Sequence, residues 1–328
     1  MTVLVTGSAG HLGEALVRRL RADGRAVRGM DIKASAYTDV VGSIADEGFV
    51  RDAMSDVTEV IHSATLHKPH IATHGKRAFV DTNVGGTTTL LEAAVAHGVR
   101  AFVFTSTTSA FGAALSPAPG EPAAWIDEDV VPVPKNIYGA TKIAAEGLCE
   151  CVARQDRLPV LVLRTSRFFP EDDDNAGVRA EYDSVNMQAN ELLYRRADLD
   201  DVVEAHVLAL ERAPALRFGR YIVSATTPFS PDDVIALRED AASVVRRLFP
   251  DVDALYAERG WKLLPSLDRV YDSRRATRDL GWRPKRDFAF VLDCLRRGED
   301  FRSDMARAIG VKGYHDAVFE HGPYPVLP

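Results

Sequence analysis

Short apolar runs alternate with longer amphipathic stretches from the first residues of the chain. Val3, Leu4 and Val5 follow one another without a polar break, as in a strand buried on both faces. Similar segments recur near residues 26 to 31, 58 to 63, 101 to 105 and 160 to 164, and again in "GRYIVSAT" (219 to 226). Between them apolar residues fall at helical spacing. Leu12 to Leu20 is one such stretch, and a long one runs from about Gly75 to His97 and closes at Gly98. Another helix is expected to start near Asp200 and end before Pro214, and "SPDDVIALREDAASVVRRLF" reads as a helix capped by Ser230 with Pro231 at its first position. Strands that alternate with helices predict an α/β fold, a doubly wound parallel sheet. After Arg164 the pattern loosens into a smaller C-terminal lobe, and "HGPYPVLP" at the end is too proline-rich for regular structure and is expected to lie over the surface.

Composition narrows the class. The chain has 328 residues, 46% of them hydrophobic, and a formal charge of -7, which suits an acidic globular protein and argues against a nucleic-acid surface. No apolar stretch reaches membrane-spanning length, and a strand beginning at the third residue leaves no room for a signal peptide, so a cytoplasmic protein is expected. Cys149, Cys151 and Cys294 read as packing residues.

Chemistry first shows at the end of the first strand, in "VLVTGSAGHLG". Gly7, Gly10 and Gly13 occupy a strand-to-helix turn, where helix-terminal N–H groups and the dipole favour an anion and glycines let a pyrophosphate approach. An acidic residue about 20 positions on tests the reading, and Asp31 ends the second strand. Its carboxylate suits the two adenosine ribose hydroxyls. A 2′-phosphate about 4 Å away would be repelled by roughly 4 kcal/mol at an effective dielectric near 20, which favours NAD over NADP. Lys33 nearby reads as a solvated loop lysine.

A second constellation lies in "NIYGATKIAAEGL". Tyr138 and Lys142 are four apart on one helical face, and an ammonium about 5 Å from a phenol lowers its pKa by roughly two units, toward general-base range. A Tyr-x-x-x-Lys pair by itself is also an ordinary helix surface. Its partner is "FVFTSTTSAFG", an apolar strand running into hydroxyls, which places Thr105 to Ser109 at the carboxyl end of a sheet strand, where ligands bind. Some of these hydroxyls are expected only to satisfy loop backbone.

The ordered set of Thr6-Gly7-x-x-Gly10-x-x-Gly13, Asp31, "HSAT" (62 to 65), Asn83 with "VGGT", the hydroxyl strand end and Tyr138-x-x-x-Lys142 resembles the extended short-chain dehydrogenase/reductases, specifically the NAD-dependent epimerase/dehydratase family. The likeness covers residues 2 to 170 and resumes in "DLDDVVEAHVLAL" and "RVYDSRRATRDLGWRP". It implies a Rossmann domain over residues 1–165, completed by parts of 198–225 and 268–285, with 166–328 mainly a substrate-binding lobe and tail. It implies NAD held by Gly7, Gly10, His11, Leu12, Gly13, Asp31, Ser43, Ile44, Ser63, Ala64, Thr65, Asn83, Thr105, Tyr138 and Lys142. Tyr138 is then the base, Lys142 its electrostatic partner, and Thr107, five residues before Gly112, the hydroxyl beside the substrate oxygen. Substrate contacts fall on His67, Thr107, Thr108, Arg167, Phe168 and Arg195, and a homodimer is expected through the Tyr138 helix and the helix ending near His97.

Departures from the family narrow the reaction. Its sugar 4,6-dehydratases carry Asp-Glu after the catalytic threonine, and its uronic acid decarboxylases carry a glutamate at the second of those positions; here Thr108 and Ser109 stand there. Hydride chemistry remains: epimerisation of a sugar or sugar nucleotide, or net oxidation or reduction of a small polyol, uronate or ketone. A non-catalytic NAD-binding regulator is a third class, which the intact Tyr138, Lys142 and Thr107 disfavour. The family's diphosphate-binding arginine falls at Tyr194, beside Arg195 and Arg196, and "LRTSRFFPE" is somewhat like dehydrogenases of free uronic acids. His67, His70 and His74 have metal-like spacing but read mainly as solvated loop histidines, with His67 a substrate contact; no metal is expected. "EDDD" (171 to 174) lacks a calcium-loop glycine and reads as a solvated loop.

Overall fold

The computed structural model describes residues 1–173 and 175–313. Seven parallel strands form the central sheet: β1 (Thr2–Thr6), β2 (Ala26–Asp31), β3 (Val40–Val41), β4 (Val57–His62), β5 (Ala101–Thr107), β7 (Val160–Thr165) and β8 (Phe218–Val223), ordered β3-β2-β1-β4-β5-β7-β8. β6 (Ala124–Ile126) and β9 (Arg269–Tyr271) pair separately, also in parallel. The order reverses at β1, whose neighbours β2 and β4 lead away in opposite directions, and a crevice opens at such a switch point. The doubly wound parallel sheet expected from the sequence is the fold observed.

The central strands are apolar because helices cover both faces. Val3, Val5, Ile61, Val103, Leu161 and Leu163 pack toward the His11–Ala22 and Leu199–Leu216 helices. Leu4, Val60, Phe102, Phe104 and Val162 pack on the other face, against Leu90 and Ala145. A further buried cluster joins Leu192, Leu193 and Tyr194 to Leu237, Val244, Phe288 and Leu292, on the side where the arginine-rich segment lies.

Several expected boundaries move. β5 runs on to Thr107, because Ser106 and Thr107 pair with Arg164 and Thr165 of β7 and Thr165 Oγ1 donates to the Ser106 carbonyl at 2.9 Å. The helix expected over 75 to 97 is three segments, Lys76–Phe79, a π-helical Val80–Gly85 and Gly86–Ala96, the wider turn carrying Asn83 into the interior. The helix expected to stop before Pro214 continues to Leu216. Ala213 is buried and Leu216 packs on the core, and Arg217 N donates to the Ala213 carbonyl (2.8 Å), so packing outweighs the one lost amide. Ser230 caps a short 3₁₀ turn, Pro231–Asp233, before the Val234–Leu248 helix, which is kinked at Asp240. Cys149 and Cys294 are buried, whereas Cys151 is exposed, two residues around the same helix, and is not a packing residue. The "HGPYPVLP" segment lies outside the described residues.

Candidate active site

At the end of β1 the chain turns through Gly7, whose φ of +75° excludes most side chains and whose amide donates to the Met30 carbonyl (2.8 Å). Gly13 is required by contact: a Cβ there would stand 1.9 Å from the Gly7 oxygen. Gly10 caps the helix, and the first helical bond runs from Glu14 N to Gly10 O at 3.0 Å, leaving the amides ahead of it at the terminus. Beside this turn the Asp31 carboxylate accepts from Ala9 N (3.0 Å) and Lys33 N (2.8 Å), which holds it at the mouth of the crevice. The backbone cradle and the fixed carboxylate fit a dinucleotide.

The other cofactor candidates gather along the same edge. Ser63 Oγ donates to the Thr6 carbonyl (2.6 Å), and Ala64 N donates to Thr6 Oγ1 (3.2 Å). Thr65 Oγ1 and Leu66 N both donate to Asn83 Oδ1, while Asn83 Nδ2 donates to the Leu66 carbonyl and to Thr141 Oγ1 (3.1 Å). Asn83 therefore ties the loop after β4 to the Ile137–Gln155 helix. Ile44 is buried against Gly86, and exposed Ser43 accepts from Ala45 N. His11 and Leu12 are buried in the first helical turn.

Asn136 caps the Ile137–Gln155 helix through a bond from Gly139 N, and this fixes the first turn on which Tyr138 stands. Tyr138 is 7% exposed, and the Thr107 hydroxyl is hydrogen-bonded to it. Thr107 Oγ1 also accepts from Ser109 N (3.1 Å), and Thr108 is buried in the 3₁₀ turn that follows. Lys142 Nζ donates to the Thr105 carbonyl (2.6 Å) and lies 4.0 Å from the Phe104 ring centre. The expected lowering of the Tyr138 pKa does not hold for the protein's own groups: burial pushes the phenol up to about 12 against the Thr107 bond, and burial pulls Lys142 down to about 7 although Glu146 opposes it. Both groups are held toward their neutral forms.

Three residues behind this centre were not singled out in the sequence. Glu146, one turn beyond Lys142 on the same face, accepts from Ser106 Oγ (2.6 Å) and from Arg164 (2.8 Å). His206 Nδ1 donates to the Val202 carbonyl (2.8 Å), so its Nε2 accepts from Thr105 Oγ1 (2.9 Å). The i+4 spacing of Glu146 was a legible signal; Arg164 and His206 become neighbours only through strand pairing.

His67 lies with its ring centre 6.1 Å from that of Tyr138 and 5.9 Å from that of His70, partly buried rather than solvated. Burial lowers its pKa to about 3, and the neighbouring His70, Lys142 and His11 add to the effect. His70 Nδ1 accepts from His67 N (2.8 Å). Among the described residues no group of three His, Cys, Asp or Glu is arranged to hold a metal.

Arg167 and Arg195 meet on one carboxylate. Buried Glu191 takes Arg195 (2.8 Å), Arg196 (2.7 Å) and, at 3.7 Å, Arg167, and Asp173 takes Arg195 at 3.2 Å. Burial would raise the Glu191 pKa, but the three guanidinium groups hold it at about 2. A cavity of about 240 Å³ opens beside Arg167, Glu191 and Arg196. Phe168 lines a neighbouring cavity of about 490 Å³. Glu171 corrects the reading of "EDDD" as solvated: it is buried and paired with His11 Nε2 at 2.8 Å, because the loop after β7 folds back onto the glycine turn.

A glycine cradle at the switch point of a parallel sheet, with Thr107, Tyr138 and Lys142 gathered at one strand end, defines an enzyme of the extended short-chain dehydrogenase/reductase type that uses NAD. The chain belongs to the NAD dependent epimerase/dehydratase family, whose profile matches residues 3–223. The uncharacterized protein y4nG of Sinorhizobium fredii is 32% identical over 168 residues, 50% of this chain and 40% of that protein, so the chain spans less than half of that relative's length. A dTDP-glucose 4,6-dehydratase of Streptomyces antibioticus is 28% identical over 323 residues, covering 88% of this chain and 89% of its own. The structure of Thermus thermophilus UDP-glucose 4-epimerase in complex with NAD superposes with a TM-score of 0.60 at 26% identity, over 90% of this chain and 99% of that one.

Proposed function

We propose that this enzyme is an epimerase of a sugar or sugar nucleotide that works through a transient ketone, with Tyr138 as the base. The observation that carries the reading is the joining of Tyr138 to Thr107 at a strand end whose preceding carbonyl, that of Thr105, holds Lys142. Gly7, Gly10, Gly13, Asp31 and the edge from Ser63 to Asn83 would hold NAD, which when bound would supply the hydride acceptor and the returning hydride. Thr107 holds the oxygen of a secondary alcohol, and the Tyr138 phenolate takes that hydroxyl's proton and gives it back. The phenolate is costly in this buried site, so protonated Lys142 has to stabilise it. Thr108 and Ser109 have no carboxyl group with which to expel water, which disfavours the dehydration named in the Streptomyces antibioticus relative.

The Arg167–Arg195–Arg196 cluster supports an anionic group on the substrate, a diphosphate or a carboxylate. The carboxylate case favours a second reading, a net dehydrogenase of a uronate or related small substrate. His67 beside Tyr138 and Thr108 after Thr107 are the further substrate contacts in this proposal. The same reading includes the division near residue 165 into a cofactor domain and a substrate lobe, a cytoplasmic location and a homodimer through the Tyr138 helix and the helix ending near His97. Among the described residues no helix is long and apolar enough to cross a membrane. The deciding experiment incubates the enzyme with UDP-hexoses and, separately, free uronates with NAD. Epimer formation by NMR without net NADH supports the epimerase; stoichiometric NADH from a uronate replaces it with the second reading.

A further inference from the structure

Three segments distant in sequence meet over the start of the His11–Ala22 helix. Lys312 Nζ donates to the carbonyl of Ala9, inside the glycine turn, at 2.7 Å and pairs with Glu14 at 2.5 Å. Its backbone amide donates to Glu171 Oε1 (3.3 Å), and Glu171 in turn pairs with His11. Ala9 is the residue whose own amide holds Asp31, so the lysine grips the middle of the dinucleotide cradle. The segment carrying it is anchored on the side that precedes the lysine. Ser303 N donates to Asp198 (3.0 Å), and Met305, Ala306 and Ile309 of the Asp304–Ile309 helix pack on the core beside the first helix.

The charges explain why a cation is needed there. Glu14 and Glu171 both stand at a helix terminus that has to accept a pyrophosphate, and two carboxylates would repel it. Arg18 pairs with Glu14 from the solvent side, and Lys312 is the second cation, on the side of the turn. Without Lys312, Glu14 keeps Arg18 as its cation and the turn that would receive the diphosphate is more negative by one charge.

We propose that Lys312 is a positioning residue of the NAD site, strapping the C-terminal segment across the glycine turn and offsetting the charge of Glu14 beside it. The inference rests on NAD binding at this turn and not on the epimerase reading. Cofactor binding therefore tests it independently of any substrate. NADH titrations followed by fluorescence compare wild type with Lys312→Ala, Lys312→Arg and the double variant Lys312→Ala/Glu14→Gln, each with its cofactor-free melting temperature. Lys312→Ala is expected to weaken NADH by about 10-fold at low salt, with a smaller loss at high salt. Lys312→Arg should recover most of the affinity, and the double variant should bind within about 3-fold of wild type because the excess charge is gone. Wild-type affinity in Lys312→Ala overturns the proposal. So does a loss that neither Arg nor the Glu14→Gln change repairs, since a structural defect alone would behave in that way.

Discussion

Lys142 is 2% exposed, and burial draws its pKa from 10.5 to about 7, so the folded protein binds its proton far more weakly than the unfolded chain does. The sign follows from linkage. Below about pH 7 the lysine is charged in both states and the native state bears the full cost; between 7 and 10.5 the unfolded chain holds more protons, so stability rises with pH; above 10.5 the cost is gone. At pH 7 the cost is roughly 4 kcal/mol, from a shift of more than three units at 1.36 kcal/mol each. Lys142→Met removes that cost and gives up the Nζ bond to the Thr105 carbonyl, a loss of about 1 to 2 kcal/mol. The cofactor-free variant is therefore expected to be more stable than wild type by about 2 to 3 kcal/mol at neutral pH, and the gain should fall below about 1 kcal/mol near pH 9. Turnover should be lost in the same variant. Urea denaturation of both proteins without cofactor, at several pH values from 7 to 9, measures the difference. A variant less stable than wild type at pH 7, or a gain that does not shrink as pH rises, refutes the assignment of Lys142 as a strained, desolvated ammonium held ready for Tyr138.

Tyr138→Phe keeps the ring in its packing and removes only the oxygen bonded to Thr107, so NADH affinity should change less than about 3-fold while turnover falls by about 10²-fold or more; near-normal turnover excludes Tyr138 as the base. Asp31→Ala frees Ala9 N and Lys33 N and removes the charge facing a 2′-phosphate, so calorimetry should show weaker NAD binding and an NAD-to-NADP preference reduced by about 10-fold or more. Glu191→Gln leaves Arg196 without its carboxylate and Arg167 and Arg195 with Asp173 alone, and should cost about 3 to 5 kcal/mol at pH 7, read by thermal unfolding. Because the Glu191 pKa is held down at about 2, wild type should keep this contribution above the ordinary glutamate range and lose it as pH falls toward 2.

Local chemistry made the sheet and the glycine turn after its first strand legible from the sequence alone. An unbroken apolar run such as Val3–Val5 suits only a strand covered on both faces, and a turn that forces Gly7 to positive φ and Gly13 into contact with the Gly7 carbonyl leaves its mark as glycines. The i, i+4 relation of Tyr138 and Lys142 is likewise set within one helix. What the sequence could not show are quantities that depend on surroundings. The phenol and the ammonium are driven to about 12 and about 7 by burial, and burial comes from strands and loops far away in the chain. Thr107 belongs to β5 rather than to a loop because Thr165, 58 residues on, pairs with it. Glu171 and Lys312 sit at the glycine turn because the loop after β7 and the C-terminal segment fold back onto the first helix, and neither has a periodicity or motif that records its partner. Short-range geometry is written into residue spacing; desolvation and long-range charge pairing exist only once the chain has closed around them.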